Sequence, residues 1–336
     1  MASAFGLKAV QLALVADVAA AYYQLLDFHR RLDISESTVE SRTQSLNIIQ
    51  QRFDKGIIAQ IDVNQAEIQK EIAAAAIPLY VRNIAKTENG LAILLGRLPE
   101  TVRIKKNLVD QPPPEIPVGL PADILERRPD IIQAKYLIKA QTERIGVAEA
   151  MRFPAISLTA NLGVATSELS DMTTSGGFWS LGGQVLGPLI NFGKNKQRVE
   201  IEEQKMQQAL YQFENAVLIA FREVEDALVE ITTYRDEMAA LARQQKAARN
   251  ANALSKERYD KGVTSYLEVL ETERQLFNAE LKLSELQRLY INAYVNLYKA
   301  LGGGWIYPTG GAGERASLQS MNHNSQLDVT PVSQDQ

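Results

Sequence analysis

The side chains that most often perform chemistry are scarce in this chain. It has no cysteines, which excludes thiolate catalysis, disulfides and cysteine-type zinc sites. The only histidines, His29 and His323, are interpreted as surface or packing residues. The adjacent Glu225 and Asp226 could be nominated as an acid–base pair, but charges on a long helix usually form a solvated face. We therefore expect no enzyme activity, no cofactor and no metal site.

The overall charge and hydropathy narrow the class of partner. The net charge is −4, from 36 basic and 40 acidic residues, and no basic block stands out. Nucleic acid is therefore not expected as a partner. No uninterrupted apolar run reaches about 18 residues, so the sequence predicts no transmembrane helix. Composition alone is that of a soluble helical protein.

The strongest internal signal is a repeat. The segment RFDKGIIAQIDVNQAEIQ at 52–69 matches RYDKGVTSYLEVLETERQ at 258–275. Gly56 in the first segment and Gly262 in the second lie 206 residues apart. The same spacing, without a gap, relates other positions of the two halves: Asp17, Val18 and Ala21 to Glu223, Val224 and Ala227, and Leu95-Gly96 to Leu301-Gly302. The chain therefore contains two copies of one unit.

Each copy is predicted to be a helical hairpin. Neither Gly nor Pro occurs between Gly193 and Gly262, so one helix can extend for roughly 100 Å at 1.5 Å per residue. The stretch from Lys8 to Lys55 is likewise uninterrupted. Apolar residues recur in it at every seventh position, which indicates a coiled-coil seam: Val18, Leu25, Leu32, Val39, Leu46 and Phe53.

Glycines mark the ends of the predicted helices. Gly56 and Gly262 stand where a left-handed residue would end each ascending helix. The returning helices are predicted to run to Gly96 and Gly302. The two hairpins are therefore expected to have turns of the same kind.

The two returning helices differ in detail. Ser265 and Glu268 have the spacing of a capping box at the start of the second one. Pro78 is expected to kink or break the first one. The second copy has Ser284 at the position of Pro78, so the copies are not equivalent there.

The segment between the copies changes from a helical to an alternating pattern. Residues 99–121 hold six prolines and predict a linker of restricted shape. A helix is predicted from about Asp130 to Met151. The stretch AISLTANLG at 155–163 then alternates apolar and polar residues, and a second strand is predicted from Phe178.

Two strands of about ten residues, apolar on one face, are typical of a membrane β-barrel. A half-buried hairpin on a soluble sheet would show the same alternation and is the alternative. On the membrane interpretation, six side chains are predicted to face lipid: Ile156, Leu158, Leu162, Trp179, Leu181 and Val185.

Together these features resemble the outer membrane factor family: the TolC-like channels, and more closely the OprM/NodT-type outer-membrane efflux lipoproteins. The resemblance covers nearly all of the ordered chain. It rests on LPADILERRPDI at 120–131, IGVAEAMRFPAISLTANLG at 145–163, the two tip motifs and the LLG and ALGGGW helix ends.

The resemblance implies a mainly α fold with a β-hairpin. Long coiled-coil-like helical hairpins would form a trimeric α-barrel, and the strands would join a transmembrane β-barrel. The chain would then divide into six parts: a first helical hairpin at 7–98, a proline-rich equatorial linker at 99–129, a helix at 130–153, a transmembrane β-hairpin at 154–192, a second helical hairpin at 193–302 and a disordered tail at 303–336.

The resemblance also implies a function and partners. The chain would be the outer-membrane channel subunit of a tripartite efflux pump, a passive export duct for drugs or other small toxic compounds. It would lie in the cell outer membrane and extend into the periplasm. The implied partners are two further copies of the chain, a periplasmic adaptor (membrane fusion) protein, an inner-membrane pump of the RND or another type, and outer-membrane lipid.

By resemblance, the second returning helix closes the periplasmic end of the duct. Leu267 would form an apolar plug and Glu271 a charged ring, with Ile61 and Gln65 at the equivalent sites of the first copy. An ordinary solvated helix charge is the alternative for Glu271. The adaptor would dock on tip residues, although a tight helix reversal alone also explains why both copies keep them: Arg52, Asp54, Gly56, Arg258, Asp260 and Gly262.

The sequence departs from the family in one respect. Family members carry a β-hairpin before each helical hairpin, and here only the second copy has one. We expect the missing strands, a signal peptide and a lipid-bearing cysteine to precede Met1, so that this truncated chain alone would not form stable pores. Independently, two strands cannot cross a bilayer by themselves, because their edge groups would lie unpaired in hydrocarbon.

Two other classes of function remain open on the sequence. A periplasmic adaptor or scaffold also carries coiled-coil hairpins, but usually one, flanked by soluble β domains. An enzyme on a helical scaffold is the third class. Two hairpins with a membrane-type strand pair favour the channel over both.

Overall fold

The part of the chain that the structure describes folds into long helices with one β-hairpin between them. The computed structural model describes residues 1–99, 101–102, 127–164, 177–187 and 192–303. In chain order these residues form α1 (Ala2–Asp54), α2 (Gln60–Leu94), α3 (Pro129–Ala150), β1 (Ala155–Val164), β2 (Gly177–Leu186), α4 (Lys194–Asp260) and α5 (Tyr266–Ala300). The predicted fold class, mainly α with a β-hairpin, is confirmed. Most of the predicted linker, the loop between the strands and nearly all of the predicted tail lie outside the described residues.

The helices pair into two antiparallel hairpins, α1 with α2 and α4 with α5. The longest helix, α4, has 67 residues, which corresponds to about 100 Å. The six residues of the predicted seam in α1 are all buried or half-buried, and Leu25 is fully buried. The seven-residue period thus identified the packed face of this helix.

The two tips have the same turn. Gly56 adopts a left-handed conformation with φ +70°, and Gly262 does so with φ +72°. In the first turn the Gly56 N–H donates to the Phe53 carbonyl at 2.7 Å, and the Ile57 N–H donates to the Arg52 carbonyl at 2.9 Å. The second turn has the same two bonds 206 residues on. This is the Schellman pattern that a left-handed glycine permits, as the sequence predicted.

The predicted capping box at the start of α5 is wrong. Ser265 is the N-cap residue, but its side chain makes no capping hydrogen bond. The Glu268 carboxylate instead accepts a hydrogen bond from the Thr264 hydroxyl and lies 3.4 Å from the Arg258 guanidinium. These partners compete with the backbone for the carboxylate, so the reciprocal capping bonds do not form.

Pro78 does not break α2, which continues from Gln60 to Leu94 with the proline inside it. Residues on both sides of Pro78 are buried, Ala73 at 0% and Tyr80 at 7% exposure. Packing on both flanks therefore compensates for the hydrogen bond that proline cannot donate.

The expectation of no transmembrane helix rested on the lack of an uninterrupted apolar run, and one helix meets a test of length and mean hydropathy. Among the described residues, α1 contains a segment long and apolar enough to cross a membrane, judged by length and composition only. This is weak support for a membrane span, because core helices meet the same test. Here α1 packs against α2, α3 and α5.

The two hairpins join mainly through α1 and α5, and the helices contact one another in the order α2, α1, α5, α4. Three apolar clusters lie along the joint. Leu26 packs with Ile291, and Ile34 packs with Ala73 and Phe277. The third cluster, near the tips, combines residues of α1, α2 and α5: Ile49, Val63, Ala66, Tyr266, Val269 and Leu270.

A buried carboxylate lies at the centre of this joint. Asp27 in α1 is 1% exposed and accepts a hydrogen bond from the Ser284 hydroxyl of α5 at 2.6 Å. Arg31 donates to the same carboxylate at 3.0 Å, and Arg288 lies 3.5 Å from its second oxygen. Arg31 also lies 3.6 Å from Glu285. The charges of the two helices therefore compensate one another around a buried carboxylate.

A second buried charge anchors α3. Arg128 is 6% exposed and makes a bidentate pair with Asp130, at 3.1 and 2.6 Å. It also donates to Glu223 in α4 at 2.7 Å and to the Ala300 carbonyl at the end of α5 at 3.0 Å. One guanidinium thus ties α3 to both helices of the second hairpin.

We predict that Asp27→Asn lowers the free energy of unfolding by about 3 kcal/mol, because it leaves Arg31 and Arg288 partly buried without their carboxylate. Asp33→Asn on the exposed face of the same helix is the matched control. Urea unfolding followed by circular dichroism measures both. Equal midpoints for the two variants would show that the buried network does not hold the hairpins together.

Candidate functional site

The β-hairpin presents one apolar face. The strands are antiparallel, and directly opposed residues share a face: Ile156 with Val185, Leu158 with Gly183, Ala160 with Leu181, and Leu162 with Trp179. The register therefore brings all six predicted lipid-facing side chains together. They are between 62% and 90% exposed, so the described part of the chain does not cover them.

The opposite face of the hairpin is largely polar. Ser157 opposes Gln184, and Asn161 opposes Ser180 with a 3.3 Å hydrogen bond between their side chains. The exceptions are Leu186 at the end of β2 and Phe178, whose ring lies where a Cβ on Gly163 would stand. A hairpin of two strands with both faces exposed is marginally stable in water. The arrangement is suited to an environment that is apolar on one side and aqueous on the other.

The two tips are linked to each other by a charged residue. Arg52 at the end of α1 donates to Asp260 at the end of α4 at 2.9 Å, and its guanidinium lies 4.8 Å from the centre of the Tyr259 ring. Arg258 and Lys261 pair within the second hairpin, with Glu268 and Glu257. Of the six predicted tip residues, the structure thus joins Arg52 and Asp260 directly.

The remaining tip residues lie close by in the chain but face solvent. Asp54 accepts a hydrogen bond from Gln50 at 2.8 Å within α1, and it is exposed. Gly56 and Gly262 are exposed in the turns, and nothing would contact a Cβ on either. Their role in the fold is the left-handed turn.

The predicted gate residues of α5 lie on one exposed face. Leu267 is 62% exposed, and Glu271 follows one turn later. Tyr266, Val269 and Leu270 lie on the other side of the helix, buried against the first hairpin. An exposed leucine directly beside the tip is therefore not needed for packing within this chain.

Glu271 is not an isolated charge. Arg274 donates to both of its carboxylate oxygens, at 2.7 Å and 2.9–3.0 Å, and Gln275 donates at 2.8 Å. The hydrogen bonds from Arg274, and then those from Gln275, lower the pKa of the Glu271 carboxyl. Glu271 therefore stays ionised to lower pH than an ordinary glutamate, but always beside a positive charge.

The first copy offers a different chemistry at the equivalent place. Ile61 is 57% exposed in the first turn of α2, and Gln65 is half-buried one turn later. Neither carries a charge. Only the second copy therefore supplies an ion pair just above the tip.

Several residues that contact the predicted tip and gate residues, or that hold the helices together, were not predicted from the sequence. Arg274 could have been found, because it lies three residues after Glu271 on one helix face. Tyr259 could have been found from the repeat, since it occupies the aromatic position of the tip motif. The long-range partners of Arg128 and Asp27 gave no local signal, because Arg128 reaches Glu223 and Ala300, and Asp27 reaches Ser284, far away in the sequence.

Comparison with known proteins gives a consistent result. The family model described as "Outer membrane efflux protein" matches residues 2–97 and 120–303. The solvent efflux pump outer membrane protein SrpC of Pseudomonas putida is 37% identical over 300 residues, which is 89% of this chain and 64% of that protein. The cation efflux system protein CusC of Escherichia coli is 32% identical over 302 residues, covering 89% of this chain and 65% of that protein. The chain thus spans less than two thirds of the length of these relatives.

A solved structure agrees with the fold. The MtrE outer membrane channel of Neisseria gonorrhoeae, in its open state, is similar with a TM-score of 0.80 and 29% sequence identity. The similarity covers 90% of this chain and 69% of that one.

We predict that Arg52→Ala loosens the tips, because it removes both the bond to Asp260 and the contact with the Tyr259 ring. The two contacts together are worth about 1 kcal/mol at a partly exposed site. Hydrogen exchange at the ends of α1 and α4 should become about fivefold faster, as a local opening free energy falls by that amount. Lys55→Ala, at the exposed neighbouring C-cap, is the control and should leave exchange unchanged.

Proposed function

Because the chain belongs to the outer membrane efflux protein family, we propose that it is a channel subunit of a tripartite efflux pump. It acts as a passive duct through the outer membrane and part of the periplasm. The observation that carries this proposal is the exposed β-hairpin with one apolar face, set at the start of a helix about 100 Å long. The sheet and the tip of the second hairpin are separated by nearly the whole length of α4.

The hairpin supports a proposal about assembly. Two strands leave unpaired backbone groups at both edges, which hydrocarbon does not tolerate. Several chains must therefore contribute strands to one closed barrel, and we expect three copies. The apolar face would contact outer-membrane lipid, and the polar face would line the water-filled interior.

The tips support a proposal about partners. They lie at the far end of α4 from the sheet, so they would point into the periplasm when the sheet is in the outer membrane. There they would dock a periplasmic adaptor, which in turn would engage an inner-membrane pump of the RND or another type. Arg52 and Asp260 hold the two tips together as one docking unit.

The substrate class proposed is small toxic compounds. The names of the relatives refer to a solvent in one case and a cation in the other. One duct architecture thus occurs with chemically unlike cargo, which supports assigning substrate choice to the pump.

The ion pair beside the tip supports a modified account of the gate. In a trimer, three Leu267 side chains would form an apolar constriction and three Glu271 carboxylates a ring. The three Arg274 guanidiniums neutralise much of that ring, because each is bidentate to Glu271. The closed state would therefore depend more on apolar contact than on charge.

The membrane face gives the first test of the proposal. We predict that Leu158→Arg costs about 2–4 kcal/mol in folding titrations into lipid vesicles, and that Ser157→Arg on the opposite face costs much less. Both variants are expressed in cells, and the mature protein is purified for the titrations. Equal costs would place the hairpin on a soluble sheet and would overturn the channel.

The gate gives the second test. We predict that Leu267→Ser raises the resting conductance of the protein in planar bilayers, because it removes the apolar constriction. Ile93→Ser, at an apolar side chain 75% exposed at the far end of α2, is the matched control and should leave conductance unchanged.

Ion selectivity separates the two parts of the gate. Arg274→Gln should raise cation preference, since it leaves the Glu271 carboxylate without its guanidinium, and Glu271→Gln should lower it. If neither variant changes selectivity and Leu267→Ser behaves as wild type, the constriction lies elsewhere.

A further inference from the structure

Two arginines are buried among the described residues, and only one of them has a carboxylate partner. Arg128, 6% exposed, is paired with Asp130 and Glu223. Arg42 in α1 is 3% exposed and forms no ion pair with any residue that the structure describes. Its Nη1 donates to the Gln69 carbonyl of α2, but its Nε and Nη2 groups have no hydrogen-bond partner in the described chain. A lone buried charge is costly, so this position favours one negative charge beside it.

Arg42 lines a cavity of about 200 Å³ where α1 meets α4 and α5. The ring of Phe277 lies on one side, with its centre 5.2 Å from the guanidinium carbon of Arg42. Both hairpins contribute polar side chains to the lining: Ser37, Ser41, Asn252 and Lys256. The two serines are exposed, so the cavity is open to solvent on their side.

Two carboxylates also line the cavity, and each has a cation of its own. Glu273, 6% exposed, lies 2.8 Å from the ammonium nitrogen of Lys256. Glu280 accepts a hydrogen bond from Arg249 at 2.8 Å. These two pairs cancel, which leaves Arg42 as the uncompensated charge among the described groups around the cavity. One monovalent anion would balance it, whereas a divalent anion would exceed it.

The neighbours of Arg42 do not replace such an anion. Burial lowers the pKa of the Arg42 guanidinium, and the charge of Glu273 only partly offsets that effect. The Phe277 ring presents its negative face to the guanidinium but carries no net charge. Since arginine does not lose its proton in proteins, the positive charge persists inside the fold.

From this we infer that the cavity binds one small monovalent anion, of the size and charge of chloride. Nε and Nη2 of Arg42 donate to it from the first hairpin. Lys256 lies on the side of the second hairpin, as does Asn252, whose Oδ1 has no partner in the described chain and whose amide can flip to present its NH₂ group.

A bound anion would therefore contact both hairpins at once. Arg42 precedes the end of α1 at Asp54 by 12 residues, or about 18 Å along the helix. The anion would thus stabilise the position of one hairpin beside the other, a short distance from the tips. The site lies within one subunit, so this inference does not depend on the proposed channel.

A sodium chloride titration of the mature protein in detergent tests the site. The midpoint of thermal unfolding should rise by about 2–4 °C once chloride exceeds its dissociation constant about tenfold, because the anion binds the folded state only. Arg42→Gln should abolish this rise. Arg30→Gln, at an exposed position of the same helix, is the matched control and should keep it.

Glu273→Gln should change chloride binding in the opposite direction. It removes a negative charge beside the site and leaves Lys256 without its carboxylate. The chloride concentration that gives half of the rise should therefore fall about tenfold. Glu40→Gln, at an exposed carboxylate of α1, is the matched control and should leave that concentration unchanged. A purely structural role of Arg42 would not produce this gain.

Bromide locates the anion without any substitution, because it resembles chloride and scatters anomalously. Crystals of the wild-type protein soaked in sodium bromide should show an anomalous peak within hydrogen-bonding distance of Nε and Nη2 of Arg42. Peaks only at other places on the surface would mean an adventitious ion only, and would overturn the site.

The titrations can also contradict the inference. An equal rise in the wild type, Arg42→Gln and Arg30→Gln is a general salt effect and overturns it, as does the absence of any rise in the wild type. Weaker chloride binding in Glu273→Gln overturns the charge balance on which it rests. None of these results bears on the proposed channel, which is judged by conductance.

Discussion

The joint between α1 and α5 is the contact on which the rest of the molecule depends. Each hairpin buries its own seam, but this joint sets one hairpin at a fixed height beside the other. The Asp27 carboxylate makes the joint selective for one register, because a shifted register would leave it buried without its two partners on α5, Ser284 and Arg288. The tips, the ion pair between Arg52 and Asp260 and the exposed faces all take their positions from that register.

Most of the architecture could be predicted because it is carried by local and periodic signals. The seven-residue period identified the packed face of α1, and the glycines of the tip motif identified the turns. Two local rules failed where a competing contact was stronger. The Glu268 carboxylate, which the capping box required, contacts Thr264 and Arg258 instead. The helix α2 continues past Pro78 because residues on both sides of it, Ala73 and Tyr80, are buried.

The candidate site was less predictable, because its partners lie far apart in sequence. Alternation in the strands was enough to group the six apolar side chains on one face, since the side-chain period of a strand is two. The partners of Arg128 and Asp27 depend on how helices pack, and no single helix carries that information.

The gapless match between the copies limits how the protein can change in length. One inserted residue in α4 would turn every later side chain of that helix by about 100° and move the tip outward by about 1.5 Å, while α1 stayed in place. The residues of α4 would then no longer face their partners, either in the packed seam of the hairpin or in the Arg52–Asp260 bond between the tips. An insertion or deletion in one helix is therefore tolerated only when it is matched by equal changes in the other helix of the hairpin and in both helices of the other copy.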